Sequence, residues 1–167
     1  MDVIGLHHLA YRCRNAEETR RFYEDIIGLP LVHVIIADHV PSTGEYCPYT
    51  HIFFALKDGS CLAFFDLGDD KATAPDPETP SWVNHVALEL ASLDEVLAMR
   101  DRLLAFGLDV IGPTDHEFVK SIYLFDPNGI RLEFTCRTAG RKYEEDRKAE
   151  AHAMLGEFMR RRHVQPA

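Results

Sequence analysis

The sequence predicts an α+β fold made of two copies of one β-α-β-β-β unit, and three observations carry that prediction. The segment Gly5-Leu6-His7-His8-Leu9-Ala10-Tyr11 has a counterpart in Trp82-Val83-Asn84-His85-Val86-Ala87-Leu88. Each copy runs into a helical stretch that stops at a Gly-Leu pair, Gly28-Leu29 or Gly107-Leu108. Between the copies lies an acidic, proline-rich stretch with Pro75, Pro77 and Pro80, which reads as a linker. The paired βαβββ modules are expected to form a curved mixed sheet around a central metal cavity, with a helix added at the C-terminus. A single domain is placed at residues 1–138, with module one at 1–67, the linker at 68–81 and module two at 82–138. Residues 139–167 form a helical extension.

Each element has a local reason. Residues 5–13 alternate in polarity and read as a strand. Asn15 is placed to cap a helix with Glu17 and Glu18 in its first turn. Thr19, Phe22, Tyr23, Ile26 and Ile27 recur at helical spacing, and Gly28 ends the run. Strands follow at 30–38, 51–56 and 61–67, the last two joined by the hairpin Lys57-Asp58-Gly59-Ser60. The loop 39–50, with two prolines and a glycine, is the expected wall or lid of a pocket through Tyr46 and Tyr49. In the second copy a strand at 82–91 leads to Ser92 as helix cap, a helix to Phe106, and strands at 108–112, 118–125 and 130–136. The highly charged stretch 141–162 reads as a helix with a partial apolar stripe of Tyr143, Met154, Leu155, Phe158 and Met159, packed on the outside of the domain or on a partner subunit.

Composition narrows the function. With 46% hydrophobic and 27% charged residues, this is an ordinary globular chain. A net charge of −9 argues against nucleic acid, whose phosphates need a basic face. No apolar run reaches membrane-spanning length, and the opening residues lack a basic segment before an apolar one, so a cytoplasmic protein is expected. Cys13, Cys47, Cys61 and Cys136 form no Cys-x-x-Cys pair. They read as reduced thiols, three of them in apolar strands, and not as a zinc knuckle.

The repeated histidine points to chemistry. His8 and His85 hold the same position in the two units, so their imidazoles can converge across a pseudo-twofold axis. Glu133 sits in the apolar strand Ile130-Arg131-Leu132-Glu133-Phe134 after the turn Asp126-Pro127-Asn128-Gly129. A carboxylate buried there needs a cation. His8, His85 and Glu133 are therefore the expected metal ligands. Two histidines and one carboxylate leave open coordination positions suited to non-haem Fe(II), with Mn(II), Zn(II), Ni(II) or Co(II) also compatible.

These strands and the Asp-Pro-Asn-Gly turn resemble the vicinal oxygen chelate superfamily, which includes glyoxalase, bleomycin-resistance and extradiol dioxygenase proteins. The resemblance covers residues 5–136. A narrower pattern, Thr114-Asp115-His116, Ile122-Tyr123, Asp126-Pro127-Asn128-Gly129 and Glu133, is similar to the motif of type I extradiol ring-cleaving dioxygenases in their single-domain form. That resemblance implies a catechol-like aromatic substrate and O2. It makes His116 an acid–base or hydrogen-bonding partner and Tyr123 a donor to a substrate oxygen. His51, Tyr49 and Phe64 are assigned to substrate binding.

The stretch Asp58-Gly59-Ser60-Cys61-Leu62-Ala63 lacks the histidine that extradiol enzymes carry there, and His51 or His39 is a candidate substitute from the neighbouring strand or loop. Phe64 is taken as the fourth-strand position at which glyoxalase-type enzymes place a further glutamate ligand. The reading is an Fe(II)-dependent extradiol dioxygenase, with a homodimer as the expected assembly. A glyoxalase-type isomerase, epimerase or lyase acting on a small oxygenated metabolite is the first alternative. A non-catalytic binding or resistance protein is the second.

Overall fold

The computed structural model describes residues 1–73 and 76–162. Ala74 and Pro75 of the expected linker, and residues 163–167 of the expected extension, lie outside the described residues. Module one contains β1 (His8–Arg12), α1 (Ala16–Arg20) continuing as a π-helical stretch (Arg21–Ile27), β2 (Leu31–His39), β3 (Tyr46–Ala55) and β4 (Cys61–Asp66). Module two repeats the order with β5 (His85–Glu89), α2 (Leu93–Ala105), β6 (Ile111–Asp115), β7 (Val119–Phe125) and β8 (Arg131–Arg137). α3 (Arg141–Arg162) is the last described element. Among the described residues, no helix is long and apolar enough to cross a membrane.

The strands hydrogen-bond as two four-stranded sheets of identical order, β1-β4-β3-β2 and β5-β8-β7-β6. In each, the first strand runs parallel to the last and the others pair antiparallel. The internal repeat is thus a repeat of topology. His8 and His85 open β1 and β5 and pair with the first residues of β4 and β8, Cys61 and Arg131.

The expected caps form. Asn15 accepts from the backbone N–H of Glu18 at 2.9 Å, and Gly28 ends the first helix with φ of 96°. Ser92 accepts from Glu95 N–H at 3.3 Å, while the Glu95 carboxylate reaches back to Ala91 N–H at 2.9 Å.

Four strand starts differ from expectation by three or more residues: β1 and β5 begin late, at His8 and His85 instead of residues 5 and 82, and β3 and β6 also shift. β3 begins at Tyr46, inside the stretch read as loop 39–50. Pro48 is tolerated because β4 pairs with β3 only from Thr50 onward, so its missing N–H leaves no ladder bond unmade on that side. β6 falls at 111–115 instead of 108–112, displaced by a register irregularity between Ile111 and Thr114. Gly112 in that irregularity has φ of 107°, and a Cβ there would stand 2.7 Å from the carbonyl oxygen of Ser121.

One face of each sheet is buried against helices, in a shared core. Phe22, Tyr23 and Ile27 pack with Phe54 and Phe64 in module one, and Val96 and Leu103 pack with Ile122, Leu132 and Phe134 in module two. The Asp-Pro-Asn-Gly turn is the clamp between modules. Tyr23 donates its hydroxyl to Asp126 at 3.0 Å. Asn128 accepts from Arg14 N–H at 2.9 Å and donates to Thr19 Oγ1 at 3.2 Å. The modules therefore join through their helix sides, and the opposite face of each sheet carries the candidate functional groups.

Candidate metal centre

Strand alternation sets which residues face the site. In module two, the register puts His85 beside Arg131, Ala87 beside Glu133 and Tyr123, and Glu89 beside Thr135 and Ser121, all on the face away from α2. Glu133 is buried, and its Oε2 lies 3.1 Å from Nε2 of His85. Its Oε1 accepts a 2.5 Å hydrogen bond from Ser121 Oγ. His85 Nδ1 stands 3.0 Å from the carbonyl of Val83, and because a carbonyl only accepts, Nδ1 carries the hydrogen. That leaves Nε2 as the ring atom that meets the carboxylate, through a proton or through a metal ion. The 3.1 Å separation is what two ligands about 2.1 Å from one metal ion span at neighbouring corners of its coordination shell. His85 and Glu133 fit a divalent metal.

Tyr123 and His116 join the same face. Tyr123 is the register partner of Glu133, is buried, and its hydroxyl lies 2.7 Å from His116 Nε2. Burial first, and the negative charge of Glu133 after it, hold the phenol above its usual range, so it remains a protonated donor. Arg131 lies 4.5 Å over the Tyr123 ring, with its Nε buried and unpartnered among the described residues. Ser121 and Arg131 join the site beyond the residues expected from sequence. The signal for both was available in strand parity, since each is two residues from an assigned one, Tyr123 or Glu133.

Module one gathers a different set. His8, Ala10 and Arg12 share a face with Ala63, Phe65, His51 and Phe53. His8 is exposed, with its ring 6.0 Å from that of His51 and its Nδ1 2.7 Å from Nδ1 of His7. His51 is buried, stacks on Phe65 at 3.6 Å, and leaves Nε2 without a hydrogen-bond partner. Burial, then the neighbouring His8 and His33, push its pKa down to about 4. Tyr49 lies on this face too, edge-on to Phe65 at 5.4 Å. It belongs to β3 and not to a lid. His39 stands at the far end of β2 against Tyr46, 5.3 Å between rings.

Two expectations are corrected here. Phe64 is not on the site face. It is 1% exposed and packs against Tyr11, Tyr23 and Phe54 in the helix-side core, because one residue along a strand reverses the side chain. The first-module position matching Glu133 is Ala63, which pairs with Ala10 and Phe53 as Glu133 pairs with Ala87 and Tyr123. Ala63 has no ligating atom. Nor does one chain bring His8 to His85 and Glu133. Among the described residues, no group of three His, Cys, Asp or Glu is gathered for a metal ion. Tyr11, on the opposite face of β1 from His8, is the β1 residue that shares a cleft with His85.

The chain belongs to the glyoxalase/bleomycin resistance protein/dioxygenase superfamily, whose model matches residues 5–134. A biphenyl-2,3-diol 1,2-dioxygenase from Paraburkholderia xenovorans is 28% identical over 148 residues, covering 83% of this chain and 44% of that protein. The chain thus spans less than half the length of this relative. A glyoxylase/bleomycin resistance protein/dioxygenase domain from Frankia has TM-score 0.67 at 17% identity, covering 86% of this chain and 99% of that one. A fosfomycin resistance protein from Listeria monocytogenes, solved with Mn(II) and sulfate, has TM-score 0.58 at 18% identity, covering 82% and 95%. At these identities the structural likeness speaks to fold.

Proposed function

We propose that this protein is a metal-dependent oxygenase that opens the ring of a catechol-like aromatic beside its two hydroxyls, using Fe(II) and O2. One observation carries the reading: Tyr123 and His116 lie on the same sheet face as the His85–Glu133 pair, with Tyr123 in register with Glu133. The 28% identical dioxygenase supports it. His85 and Glu133 would hold the metal together with His8 of a second copy of the chain, since the described residues of one chain do not gather three such ligands. A ferrous ion held by two imidazoles and a carboxylate supplies a common binding point for the diol oxygens and O2.

The remaining work belongs to the chain's side chains. Ser121 fixes the carboxylate of Glu133. Tyr123, kept protonated by burial, donates to oxygen on which negative charge develops. His116 exchanges a proton with that phenol across 2.7 Å. His51 offers its unpaired Nε2 from the module-one face, with Tyr49 beside it. Ala63 at the position matching Glu133 supplies no fourth ligand, which weighs against the glyoxalase-type isomerase alternative.

Anaerobic purification, metal analysis and O2 uptake on a panel of catechols test the proposal. Bound iron with catechol-dependent uptake is expected. Bound zinc or nickel with no uptake would move the isomerase reading ahead, and a protein that takes up no divalent metal would leave the binding-protein reading.

A further inference from the structure

The face that carries His85 and Glu133 also carries a cation that the proposed chemistry does not use. Arg131 opens β8 as the register partner of His85. It lies two residues before Glu133 on the same face, a step of about 7 Å. Its guanidinium stands 4.5 Å over the ring of Tyr123. Its Nε is buried and has no hydrogen-bond partner among the described residues.

No carboxylate among the described residues pairs with Arg131. Glu133, on the same strand, is taken by His85 and Ser121. Arg137, the arginine at the other end of β8, is held by both Glu89 and Glu144. The two arginines of one strand are thus treated differently, and the one beside the candidate metal centre is left open. A guanidinium stays charged at any physiological pH and only donates, so Arg131 has donors to offer an incoming anion.

The space beside it suits a small anion. A cleft of about 470 Å³ at the start of β5 and β8 is lined by both His85 and Arg131, with Ser81, Asn84 and Asp76 also in its wall. Asp76 is occupied by its own turn, accepting from the Thr79 hydroxyl at 2.6 Å and from Glu78 N–H at 3.0 Å. One guanidinium facing a cleft that already holds a carboxylate, in a chain of net charge −9, favours a singly charged anion over a phosphate dianion. A carboxylate also fits the planar fork of the guanidinium, which can give it two parallel N–H bonds. The contact with Tyr123 fixes where that fork sits, because a guanidinium over an aromatic face is held there by the charge of the ring face.

We infer that Arg131 is a specificity-determining residue that binds a carboxylate carried by the aromatic diol, so that the substrate class is a catechol with an acidic side group. The inference rests on the proposed diol chemistry for the nature of the ring.

Anaerobic calorimetry on the Fe(II)-reconstituted protein tests it with matched acids and amides. The probes are 2,3-dihydroxybenzoate, 3,4-dihydroxybenzoate and 3-(3,4-dihydroxyphenyl)propanoate, each against its primary amide, which keeps the shape and removes the charge. In at least one pair the wild type should bind the acid about tenfold or more tightly than the amide. Arg131→Met, which keeps an apolar stem over Tyr123, should erase that preference, and Arg131→Lys, which keeps the charge without the fork, should keep part of it. The acid-to-amide ratio is read within each variant, so a general loss of binding cancels. Equal affinities for acid and amide in all three wild-type pairs, or a preference that survives Arg131→Met, overturns the inference. O2 uptake on neutral catechols with no acid preference would keep the ring-cleavage reading and remove the anion site. An Arg131-dependent preference for the acid, with no O2 uptake on any of the diols, would keep the anion site and remove the ring-cleavage reading.

Discussion

Nε2 of His85 and Oε2 of Glu133 face each other at 3.1 Å across adjacent strands, and the Val83 carbonyl has already claimed the imidazole hydrogen on Nδ1. Two lone pairs at that distance repel unless a positive charge lies between them. A proton on Nε2 or a divalent ion between the two atoms would each meet that need. Ser121 distinguishes this arrangement from an ordinary His–Glu ion pair. It holds the second carboxylate oxygen from a fully buried position, so Glu133 presents one oxygen in one direction.

Ser121→Ala should therefore weaken metal binding without removing it. A carboxylate or imidazole ligand that loses its orienting hydrogen bond typically costs about 10–100-fold in metal affinity. Competition against a fluorescent chelator measures this directly. Glu133→Gln in the same assay should lose binding altogether. Wild-type affinity in both variants would remove Glu133 from the ligand set.

The separation of His8 from His85 and Glu133 gives a second test. If two copies combine His8 of one with His85 and Glu133 of the other, a closed twofold dimer has two equivalent sites. His8→Ala and Glu133→Gln homodimers then each lack both sites, while a mixed dimer carries one intact site. Refolding the two inactive variants together should restore metal binding at up to about a quarter of the wild-type site number, from statistical mixing of the two chains in a twofold dimer. A monomer by sedimentation at micromolar concentration, or no recovery on mixing, would rule out the shared site.

Much of the fold was legible because its signals are local. The caps at Asn15 and Ser92, the stops at Gly28 and Gly107, and the alternation in β1 and β5 are each decided within a few residues. The facing of β4 was not legible. Leu62-Ala63-Phe64-Phe65 is apolar throughout, and a strand without alternation does not reveal which side chains meet the core. An all-apolar β4 therefore points to Phe64 as readily as to Ala63. Pro48 suggests a break, so the sequence around Tyr46 and Tyr49 reads as loop, whereas the freedom of one strand side at Pro48 is a tertiary fact. The grouping of Tyr123 and His116 with Glu133 is implied by the resemblance to the extradiol motif within one module, but whether His8 meets His85 depends on how modules dock, which no local pattern encodes.

Phe64→Ala checks the corrected facing. The ring is 1% exposed and packs against Tyr23 at 4.8 Å between centroids. Its truncation should cost about 3–5 kcal/mol of stability, as for other buried aromatic residues. Denaturant titration reads that loss. Metal stoichiometry of the folded fraction should not change, and a variant with native stability but altered substrate affinity would return Phe64 to the site.

Cys13 offers a pH-dependent check on the same core. It is 1% exposed, and burial pushes its thiol up to about 11. Folding favours the protonated form, so the associated stability is complete below about pH 9 and lost as the pH rises through about 11. At pH 8, iodoacetamide should modify the partly exposed Cys47 and Cys61 and spare Cys13 until the chain is unfolded. Rapid native labelling of Cys13, read by mass spectrometry, would contradict this packing.

Tyr123 and His116 carry the last expectation. The phenol is a protonated donor beside Glu133, and its hydroxyl meets His116 at 2.7 Å. Tyr123→Phe removes one donor to developing oxyanion charge, a change worth about 10²–10³-fold in kcat at comparable sites. Metal content should be unaffected, because Tyr123 supplies no ligand. His116→Ala should lower kcat through the same phenol, by less than Tyr123→Phe if water takes over the partner's role. The double variant should then be no slower than Tyr123→Phe alone, since two groups acting through one hydrogen bond are not additive. Additive losses in the double variant would mean that His116 reaches the substrate independently of Tyr123.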